Sequence, residues 1–311
     1  MRDSVFISLI LIAATSATPA LTNVFNANGV DPRVLIMPTG KDRPYAAIGR
    51  IINGQERPSA NYRPNGLVAR IASANSGVAT GFMVSPCYAL TAYHVAFGAW
   101  TLPELPYDSS TGTSELLGQR LSFATTRVDG VTPLIATGKA VAWGHFQATT
   151  AAKNSDWALV QFPADACPGN QVGWFEVSPA DPKRAEGQDV IAAGYPGDLS
   201  RAPSWSLYAD QHCHLVAWES DRLQWGTDCA VTPGDSGGPI FYFDRRTGIP
   251  TVLGIMVEVS QEHTAVLPKY SSDYRNLAVA VASFYAQIKG LLDADLKAHK
   301  IQNPIAAFVA K

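Results

Sequence analysis

A serine set between glycines is the residue of this chain whose surroundings best suit nucleophilic chemistry. Residues 234–239 read Gly-Asp-Ser-Gly-Gly-Pro, with Ser236 in the middle. A serine hydroxyl attacks a carbonyl carbon at neutral pH when a histidine takes its proton and a carboxylate fixes the tautomer of that histidine. Upstream, His94 follows Thr-Ala-Tyr, and Asp156 precedes Trp-Ala-Leu-Val. The three residues, in the chain order His, Asp, Ser, favour acyl transfer through a covalent intermediate.

The glycine before Asp235 points to the same chemistry through the backbone. Gly234 permits a loop conformation that aims its N–H group, together with that of Ser236, at the oxyanion that develops on the attacked carbonyl. His94 would act first as the base and then as the acid, while Asp156 would orient the imidazole and stabilise its charged form. This reaction requires no cofactor.

These motifs and their order resemble the trypsin/chymotrypsin family of serine peptidases over about residues 51–290. Residues 81–94, which lead to the histidine, run in register with the strand, turn and strand of that family. The Gly-Tyr-Pro-Gly-Asp run at residues 194–198 and the position of Cys213 resemble the bacterial V8-like glutamyl endopeptidases. The resemblance implies a bacterial-type serine endopeptidase that acts on protein or peptide substrates.

Short apolar or alternating runs, separated by Gly, Pro, Asn and Asp, predict an all-β protein. The runs cover residues 66–73, 79–84, 88–93, 157–162, 189–193, 205–209, 239–243 and 252–259. The family resemblance implies two six-stranded antiparallel β-barrels, with the boundary between the lobes near residues 165–185. Helical spacing of apolar residues over 281–300 predicts a C-terminal helix, and residues 291–311 are expected to form a helical tail.

The composition predicts a globular protein and excludes two kinds of partner. The 311 residues are 47% hydrophobic and 16% charged, so the chain can bury a full core. The formal net charge of -2 provides no basic field. Neither a nucleic acid nor an anionic membrane therefore has electrostatic support as a partner.

The first residues have the pattern of a secretory signal. A short charged start, an apolar run near residues 5–14 and small residues after it predict a signal peptide over residues 1–20. The apolar run is shorter than the roughly 20 residues that a membrane-spanning helix needs. We expect a secreted protein, either extracellular or periplasmic.

The four cysteines form an even set, which in an oxidising compartment predicts two disulfides. The expected pairs are Cys213 with Cys229 and Cys87 with Cys167. Two alternatives remain open from the sequence: four free buried thiols, or a metal site in which Cys213 joins His212 and His214 on one strand. The sequence offers no further cluster of ligands there, so no metal is predicted.

Residues 21–50 are rich in Asn, Pro and Gly and lack a sustained period, which predicts a propeptide. The Arg50-Ile51 peptide that follows resembles the activation junction of trypsin-like zymogens. In that family, a cut after the basic residue frees an ammonium that pairs with the aspartate before the nucleophile, here Asp235. The pairing would order the oxyanion loop, because a buried carboxylate needs a partner. An activating peptidase is therefore an expected partner.

The expected substrate pocket lacks both charged signatures of the resembling families. Ala230 lies six residues before Ser236, where trypsin-like enzymes keep an acid for Arg and Lys. Met256 lies where glutamyl endopeptidases keep a histidine for acidic side chains. We therefore expect an apolar or broad preference at P1, the residue before the scissile bond. Such an enzyme would cut its own Arg50-Ile51 bond poorly.

Two other interpretations of the serine motif are weaker. The Gly-x-Ser-x-Gly pattern also occurs at the nucleophile elbow of esterases, but their acid and histidine follow the serine. Here Asp244 and His263 follow it without a βαβ pattern. A secreted, non-catalytic binding protein on a peptidase fold is the second alternative. Such proteins usually lose a residue of the triad, and all three residues are present in this chain.

Overall fold

Strands are the predominant secondary structure among the described residues, as the short apolar runs predict. The computed structural model describes residues 24–25, 30–37, 40–53, 78–97, 120–126, 133–144, 156–199, 206–221, 223–259, 266–267 and 276–309. The strands within these residues are β1 (Val24–Phe25), β2 (Val34–Ile36), β3 (Ile48–Asn53), β4 (Val78–Met83), β5 (Tyr88–Thr91), β6 (Arg120–Thr126), β7 (Pro133–Trp143), β8 (Ala158–Gln161), β9 (Glu176–Val177), β10 (Asp189–Gly194), β11 (Leu207–Glu219), β12 (Gln224–Thr227), β13 (Pro239–Phe243), β14 (Pro250–Val259), β15 (Val266–Leu267) and β16 (Asn276–Ala280). The α-helices are α1 (Tyr93–Phe97), α2 (Gly169–Val172), α3 (Pro182–Ala185), α4 (Tyr285–His299) and α5 (Pro304–Val309), and 3-10 helices cover Gly40–Ala47 and Val281–Ser283.

The first barrel is a closed ring of six antiparallel strands. The strands pair in the order β3-β4-β5-β8-β7-β6, and β6 pairs back with β3. Because side chains alternate between the two faces of a strand, every second residue of these runs points into the barrel. Phe82, Leu90 and Phe123 are fully buried there. This interior fixes the ends of β5 and β8, which lead to His94 and Asp156.

The second barrel also closes with six antiparallel strands. Its order is β10-β13-β14-β16-β12-β11, and β11 pairs back with β10. Two short strands extend this ring, since β2 pairs with β11 and β9 runs parallel to β14. Residues 162–188 connect the two barrels. Ser236 lies in the loop that leads into β13.

The two closed barrels and α4 confirm the predicted all-β fold with a C-terminal helix. Strands β4, β5, β8, β10, β11, β13 and β14 overlap the apolar runs of the sequence. The expected strand at residues 66–73 lies outside the described residues. Sequence reasoning missed the barrel strands β3, β6, β7, β12 and β16, and the short strands β1, β2, β9 and β15. Short strands such as β12, which reads Gln-Trp-Gly-Thr, carry too few apolar residues to be recognised alone.

The described part of the N-terminal segment packs into the body of the protein. Strand β2 adds to the edge of β11, in the second barrel. The ring of Tyr45, in the 3-10 helix that precedes β3, meets the ring of Phe241 edge to face, with centroids 5.8 Å apart. The first barrel begins at Ile48. Residues 30–50 thus contribute to both barrels, and their removal as a propeptide stays a prediction.

Both predicted disulfides are present. Cys87 is bonded to Cys167, and Cys213 is bonded to Cys229. The alternative of four free thiols is therefore wrong. The alternative of a metal site built on Cys213 is also wrong, because a disulfide sulfur offers no thiolate to a metal ion.

Helix α4 is held against the first barrel at both of its ends. Phe284, which precedes the helix, stacks on Trp157 with ring centroids 4.7 Å apart. Near the other end, Asp295 accepts hydrogen bonds from the Ser85 hydroxyl at 2.6 Å and from the Cys87 backbone N–H at 2.9 Å. His299 lies 3.0 Å from the same carboxylate. Among the described helices, none is long and apolar enough to cross a membrane.

Replacing Asp295 by alanine is expected to destabilise the fold, because the Ser85 hydroxyl and the Cys87 N–H would lose their buried acceptor. We expect a loss of about 2 kcal/mol or more in the free energy of unfolding, measured with denaturant. Asp293 is the matched control, since it lies on the same helix but is exposed and contacts Lys289. Asp293→Ala should change the free energy by less than about 0.5 kcal/mol. Equal effects of the two substitutions would contradict the anchoring role of Asp295.

Candidate active site

His94 and Asp156 meet where two neighbouring strands of the first barrel end. Strand β5 pairs with β8 so that Thr91 lies opposite Ala158. His94 follows β5 in the first turn of α1, and Asp156 comes just before β8. The imidazole Nδ1 of His94 lies 2.7 Å from Oδ2 of Asp156, and the backbone N–H of His94 donates to Oδ1 at 3.0 Å.

The contact between these two residues is buried. The side chains of His94 and Asp156 are 6% and 4% exposed. A carboxylate in such surroundings is stabilised by hydrogen bonds and by a charged partner. Because Asp156 engages Nδ1 and the backbone of the same histidine, it fixes both the position of the ring and the tautomer that carries its proton on Nδ1. Nε2 is then the nitrogen that can accept a proton.

The loop that carries Ser236 depends on two left-handed glycines. Gly234 has φ of 104° and Gly237 has φ of 84°, values that residues with a side chain rarely adopt. A Cβ at position 234 would clash with the carbonyl oxygen of Tyr195, and one at position 237 with that of Thr80. The expectation that glycine is needed at position 234 for the loop conformation agrees with this geometry.

The serine loop lies against the segment that leads to His94. A Cβ added to Gly237 would come within 3.0 Å of the backbone nitrogen of Ala92 and would clash with the hydroxyl of Thr91. The backbone N–H of Thr80 donates to the carbonyl oxygen of Ser236 at 2.9 Å. The second barrel therefore presents Ser236 at the end of the first barrel where the histidine lies.

Two backbone amides of the serine loop have no acceptor among the described residues, namely those of Gly234 and Ser236. Their neighbours are engaged: the N–H of Asp235 donates to Thr232 at 3.0 Å, and the N–H of Gly237 donates to Met256 at 2.7 Å. The two amides are those that the sequence predicts for an oxyanion hole. A pair of unengaged N–H groups around a serine can stabilise a developing negative charge.

Thr80, on strand β4, is a supporting residue that sequence reasoning missed. Its hydroxyl donates to the carbonyl oxygen of Gly234 at 2.8 Å and accepts from the backbone N–H of Tyr195 at 3.1 Å. Thr80 is fully buried. It thus holds the serine loop from the opposite barrel. In the sequence it is one polar residue in an apolar strand, and nothing local identifies its partners.

Asp235 lies in the interior of the protein next to a second buried charge. Its Oδ2 accepts from the backbone N–H of Thr232 at 3.0 Å. Burial raises the pKa of Asp235 to about 7, against the lowering effects of the Arg33 guanidinium and of Thr232. Sequence reasoning missed Arg33, because it lies in the segment that was expected to be a propeptide.

Arg50 and Ile51, the predicted activation junction, lie in the middle of strand β3. Arg50 pairs with Thr80 on one side and with Ala124 on the other. The side chain of Ile51 is fully buried. A peptidase would reach this bond only if the barrel opened, because cleavage requires an extended, accessible segment. A cut at this bond would create an ammonium group at Ile51, and its pairing with Asp235 stays a prediction.

The two residues of the predicted substrate pocket, Ala230 and Met256, line one small cavity of the second barrel, which leaves no space for a water molecule. Arg33, Asp210 and Asp235 line the same cavity. The backbone N–H of Ala230 donates to Oδ2 of Asp210 at 2.9 Å, and burial raises the pKa of this carboxyl. Sequence reasoning missed Asp210. A lone aspartate in the long strand β11 gives no signal of what it faces across the barrel.

Comparison with known proteins agrees with this architecture. The model of a trypsin-like peptidase domain matches residues 79–249, which is more than half of the chain. The chain belongs to the trypsin-like peptidase family. The match includes His94, Asp156 and Ser236, while the roles of individual residues in this family member rest on the geometry given above.

Two solved structures were compared with this family member. A Glu endopeptidase in complex with MPD is 16% identical, with a TM-score of 0.53 over 86% of this chain and 98% of the other. The protease Anisep from Arthrobacter nicotinovorans is 16% identical, with a TM-score of 0.49 over 80% of this chain and 96% of the other. At such identity the first likeness shows the shared fold. No curated protein matches the sequence.

Replacing Thr80 by valine is expected to loosen the serine loop, because valine keeps the shape of threonine but neither donates to Gly234 nor accepts from Tyr195. We expect kcat on a peptide substrate to fall by roughly 10-fold or more, since each buried group left unpaired costs about 1–3 kcal/mol. Thr80→Ser is the matched control, because it retains the hydroxyl and should keep most of the activity. Similar losses in both variants would contradict the role of the hydroxyl.

The raised pKa of Asp235 predicts a specific dependence of stability on pH. The folded chain holds this proton up to about pH 7, whereas the ordinary value is 3.8. Stability from this group is therefore present at low pH and is lost as the pH rises from about 4 to about 7. Asp235→Asn removes the titration. Chemical unfolding at several pH values should show the original chain losing stability relative to this variant across that window, and a constant difference would contradict the assignment.

Proposed function

We propose that this peptidase-family protein is a secreted serine endopeptidase that hydrolyses peptide bonds through His94, Asp156 and Ser236. The observation that carries the proposal is the buried 2.7 Å contact between His94 and Asp156. This pair lies beside the loop that bears Ser236. A structural histidine needs no buried carboxylate on its ring nitrogen, whereas a catalytic base needs one to set its tautomer.

In this mechanism Asp156 accepts a hydrogen bond from the Nδ1–H group of His94 and stays ionised, which leaves Nε2 to take the hydroxyl proton of Ser236 as its oxygen attacks the scissile carbonyl carbon. The amides of Gly234 and Ser236 donate to the resulting oxyanion. His94 then gives the proton to the leaving amine, and an acyl group remains on Ser236. Water, activated by His94, releases the second product. The reaction proceeds without a cofactor.

An apolar or broad P1 preference is proposed for this site. Ala230 and Met256 offer no charge to a substrate, and the charged groups near them already have partners. Arg33 pairs with Asp31 and Asp198, and its side chain is 3% exposed. Asp210 accepts from two backbone N–H groups. A charged P1 side chain would therefore find no free counterion among these residues.

An acidic P1 preference is the second candidate, suggested by the solved Glu endopeptidase that shares the fold. Among the residues that the structure describes, the feature that favours it is the cation Arg33 in the wall of the small cavity that Ala230 and Met256 line. Two carboxylates already neutralise that cation, which weighs against this candidate.

Secretion is part of the proposal and is supported by the two disulfides, which form and persist in oxidising compartments. The expected signal peptide, residues 1–20, lies outside the described residues. Activation by a cut between Arg50 and Ile51, made by another peptidase, is a finer hypothesis. The burial of that bond in β3 weighs against cleavage in the folded chain.

Two other functions make different predictions for the same residues. A non-catalytic binding protein on this fold would have no reactive serine. An esterase would acylate Ser236 from esters and leave peptide bonds uncut. The all-β barrels of this chain lack the strand-to-helix elbow that carries the serine of α/β-hydrolases, within the residues described.

A fluorophosphonate probe is expected to label Ser236 in the folded protein, because His94 activates the hydroxyl. Mass spectrometry of the labelled peptide identifies the site, and Ser236→Ala should abolish the label. His94→Ala should slow labelling strongly, whereas His214→Ala is the matched control. His214 also faces a carboxylate, Asp228 at 3.0 Å, but lies on the surface. Labelling of His94→Ala at the rate of the original chain would contradict the proposed base.

Replacing Asp156 by asparagine is expected to lower kcat by about 10⁴-fold. The physical reason is that asparagine no longer fixes the productive tautomer of His94. The measurement is kcat for hydrolysis of a peptide substrate.

Hydrolysis of a peptide library that varies at P1 tests the proposed preference of the substrate pocket. Preference for apolar residues, or weak discrimination, supports the pocket proposal. Strong preference for Arg, Lys or Glu would overturn it.

A further inference from the structure

We propose that Arg33 is the positioning residue that holds Asp235, and with it the oxyanion loop, in the uncut chain. The inference rests on the proposed peptidase function and concerns how that site is kept in order. It differs from the activation hypothesis, in which a new ammonium group at Ile51 would supply the positive charge. Here the charge comes from a side chain of the segment that precedes the first barrel.

Strand β2 fixes the position of Arg33. The strand pairs antiparallel with β11, and Val34 lies opposite Ala209. Arg33 comes directly before this pair, at the level of Asp210 on the neighbouring strand. Its side chain points inward, since it is 3% exposed and lines the same cavity as Asp210 and Asp235. A guanidinium is thus built into the second barrel by main-chain pairing.

Arg33 is held by two carboxylates that set the direction of its planar group. Its Nη1 and Nη2 donate to the two oxygens of Asp198 at 3.0 and 2.6 Å. Its Nε and Nη2 donate to the two oxygens of Asp31 at 3.0 and 2.7 Å. Such bidentate pairs fix geometry as well as charge. The guanidinium therefore has one defined orientation toward the serine loop.

Thr232 connects Arg33 with Asp235. The Thr232 hydroxyl accepts from Nη1 of Arg33 at 3.3 Å. It lies 2.9 Å from Asp198 and 3.4 Å from Oδ2 of Asp235. The Thr232 backbone N–H donates to the same Oδ2 at 3.0 Å, and its carbonyl accepts from the Asp235 N–H. The turn that contains Asp235 is therefore fastened to the Arg33 cluster.

The position of Asp235 in the chain links this cluster to the chemistry. Asp235 lies between Gly234 and Ser236, whose amides are the proposed oxyanion donors. Any rotation of the turn would move both N–H groups. A Cβ added to Gly194 would lie 2.5 Å from the other oxygen of Asp235, Oδ1, so a side chain at position 194 would clash with Asp235. Asp235 is consequently confined on both sides, by Gly194 and by the turn that Arg33 supports.

The charge of Arg33 matters because Asp235 is buried. Burial raises the pKa of Asp235 to about 7, the Arg33 guanidinium lowers it, and Asp198 raises it. Tyr208 and Asp210, from β11, are the other titratable groups that line the cavity, and Asp31 faces Arg33 from its own segment. Near neutral pH the ionised fraction of Asp235 thus depends on Arg33 and Asp198 in opposite senses.

Because Arg33 and Asp198 shift the pKa of Asp235 in opposite directions, substitutions at the two positions can distinguish a positioning role of Arg33 from a purely structural one. If Arg33 merely ties β2 to the barrel, removing either Arg33 or Asp198 should weaken the fold in the same way. If Arg33 sets the state of Asp235, the two substitutions should move the pH dependence of catalysis in opposite directions. Arg33→Lys keeps the charge and loses the bidentate geometry, so it should recover part of the activity.

The test uses the full chain, with its N-terminus sequenced, and measures kcat and KM against pH for Arg33→Gln, Arg33→Lys and Asp198→Asn. Arg33→Gln should lower kcat at pH 7 by roughly 10-fold, less than the about 10²–10³-fold loss of an oxyanion donor, with little change in KM. The pH at which kcat is half-maximal should rise by about one unit in Arg33→Gln, because the charge that lowers the pKa of Asp235 is lost. A nearby opposite charge shifts the pKa of a carboxyl by about 1–3 units. Asp198→Asn should move the same value downward. With Asp235→Asn present, both shifts should vanish.

Several results would overturn the inference. Unchanged pH profiles, or shifts of both variants in one direction, would leave Arg33 a structural residue. So would an active protein that begins at Ile51 and lacks Arg33. If Arg33→Gln does not fold, Arg33→Lys and Asp198→Asn decide the question alone. If the original chain is not labelled at Ser236 by a fluorophosphonate, the proposed function fails; labelling with unchanged profiles overturns the inference about Arg33 alone.

Discussion

The contact between His94 and Asp156 is the interaction on which the proposed chemistry depends. A carboxylate and an imidazole buried together are stable only where their hydrogen bonds are satisfied. Here the backbone N–H of His94 and its ring Nδ1 occupy both oxygens of Asp156. The first barrel provides the rigid frame for this contact, because the paired ends of β5 and β8 set the distance between the two residues. Trp157, the residue that follows Asp156, is buried and stacks on Phe284.

The nucleophile comes from the other barrel, so the site requires a precise fit between the two halves. Thr80 supplies much of that fit, since its side chain and main chain bind Gly234, Tyr195 and the carbonyl oxygen of Ser236. Within the second barrel, Arg33 donates to Thr232, and the backbone N–H of Thr232 donates to Asp235. One group of contacts thus holds the serine loop from the first barrel, and a second group holds it from within its own barrel.

The sequence predicts those features whose determinants are local. The glycines around Ser236, the run before His94 and the position of Asp156 before an apolar strand are short patterns, and the strands with apolar alternation could be placed from them. Thr80, Arg33 and Asp210 could not be identified, because each has a partner far away in the chain that it reaches only when the barrels close. The Arg50-Ile51 peptide shows the converse limit. Its local pattern resembles an exposed junction, whereas the pairing of β3 with β4 and β6 buries it.

Trapping the acyl-enzyme tests the central claim most directly. The protein, with both disulfides intact, would be mixed with a p-nitrophenyl ester of a peptide, quenched in acid within milliseconds, and analysed by peptide mass spectrometry. We predict a burst of nitrophenol of about one equivalent per active site, together with the peptidyl mass on Ser236, and neither after His94→Ala. A folded protein that gives no burst and no adduct on Ser236 would contradict the account.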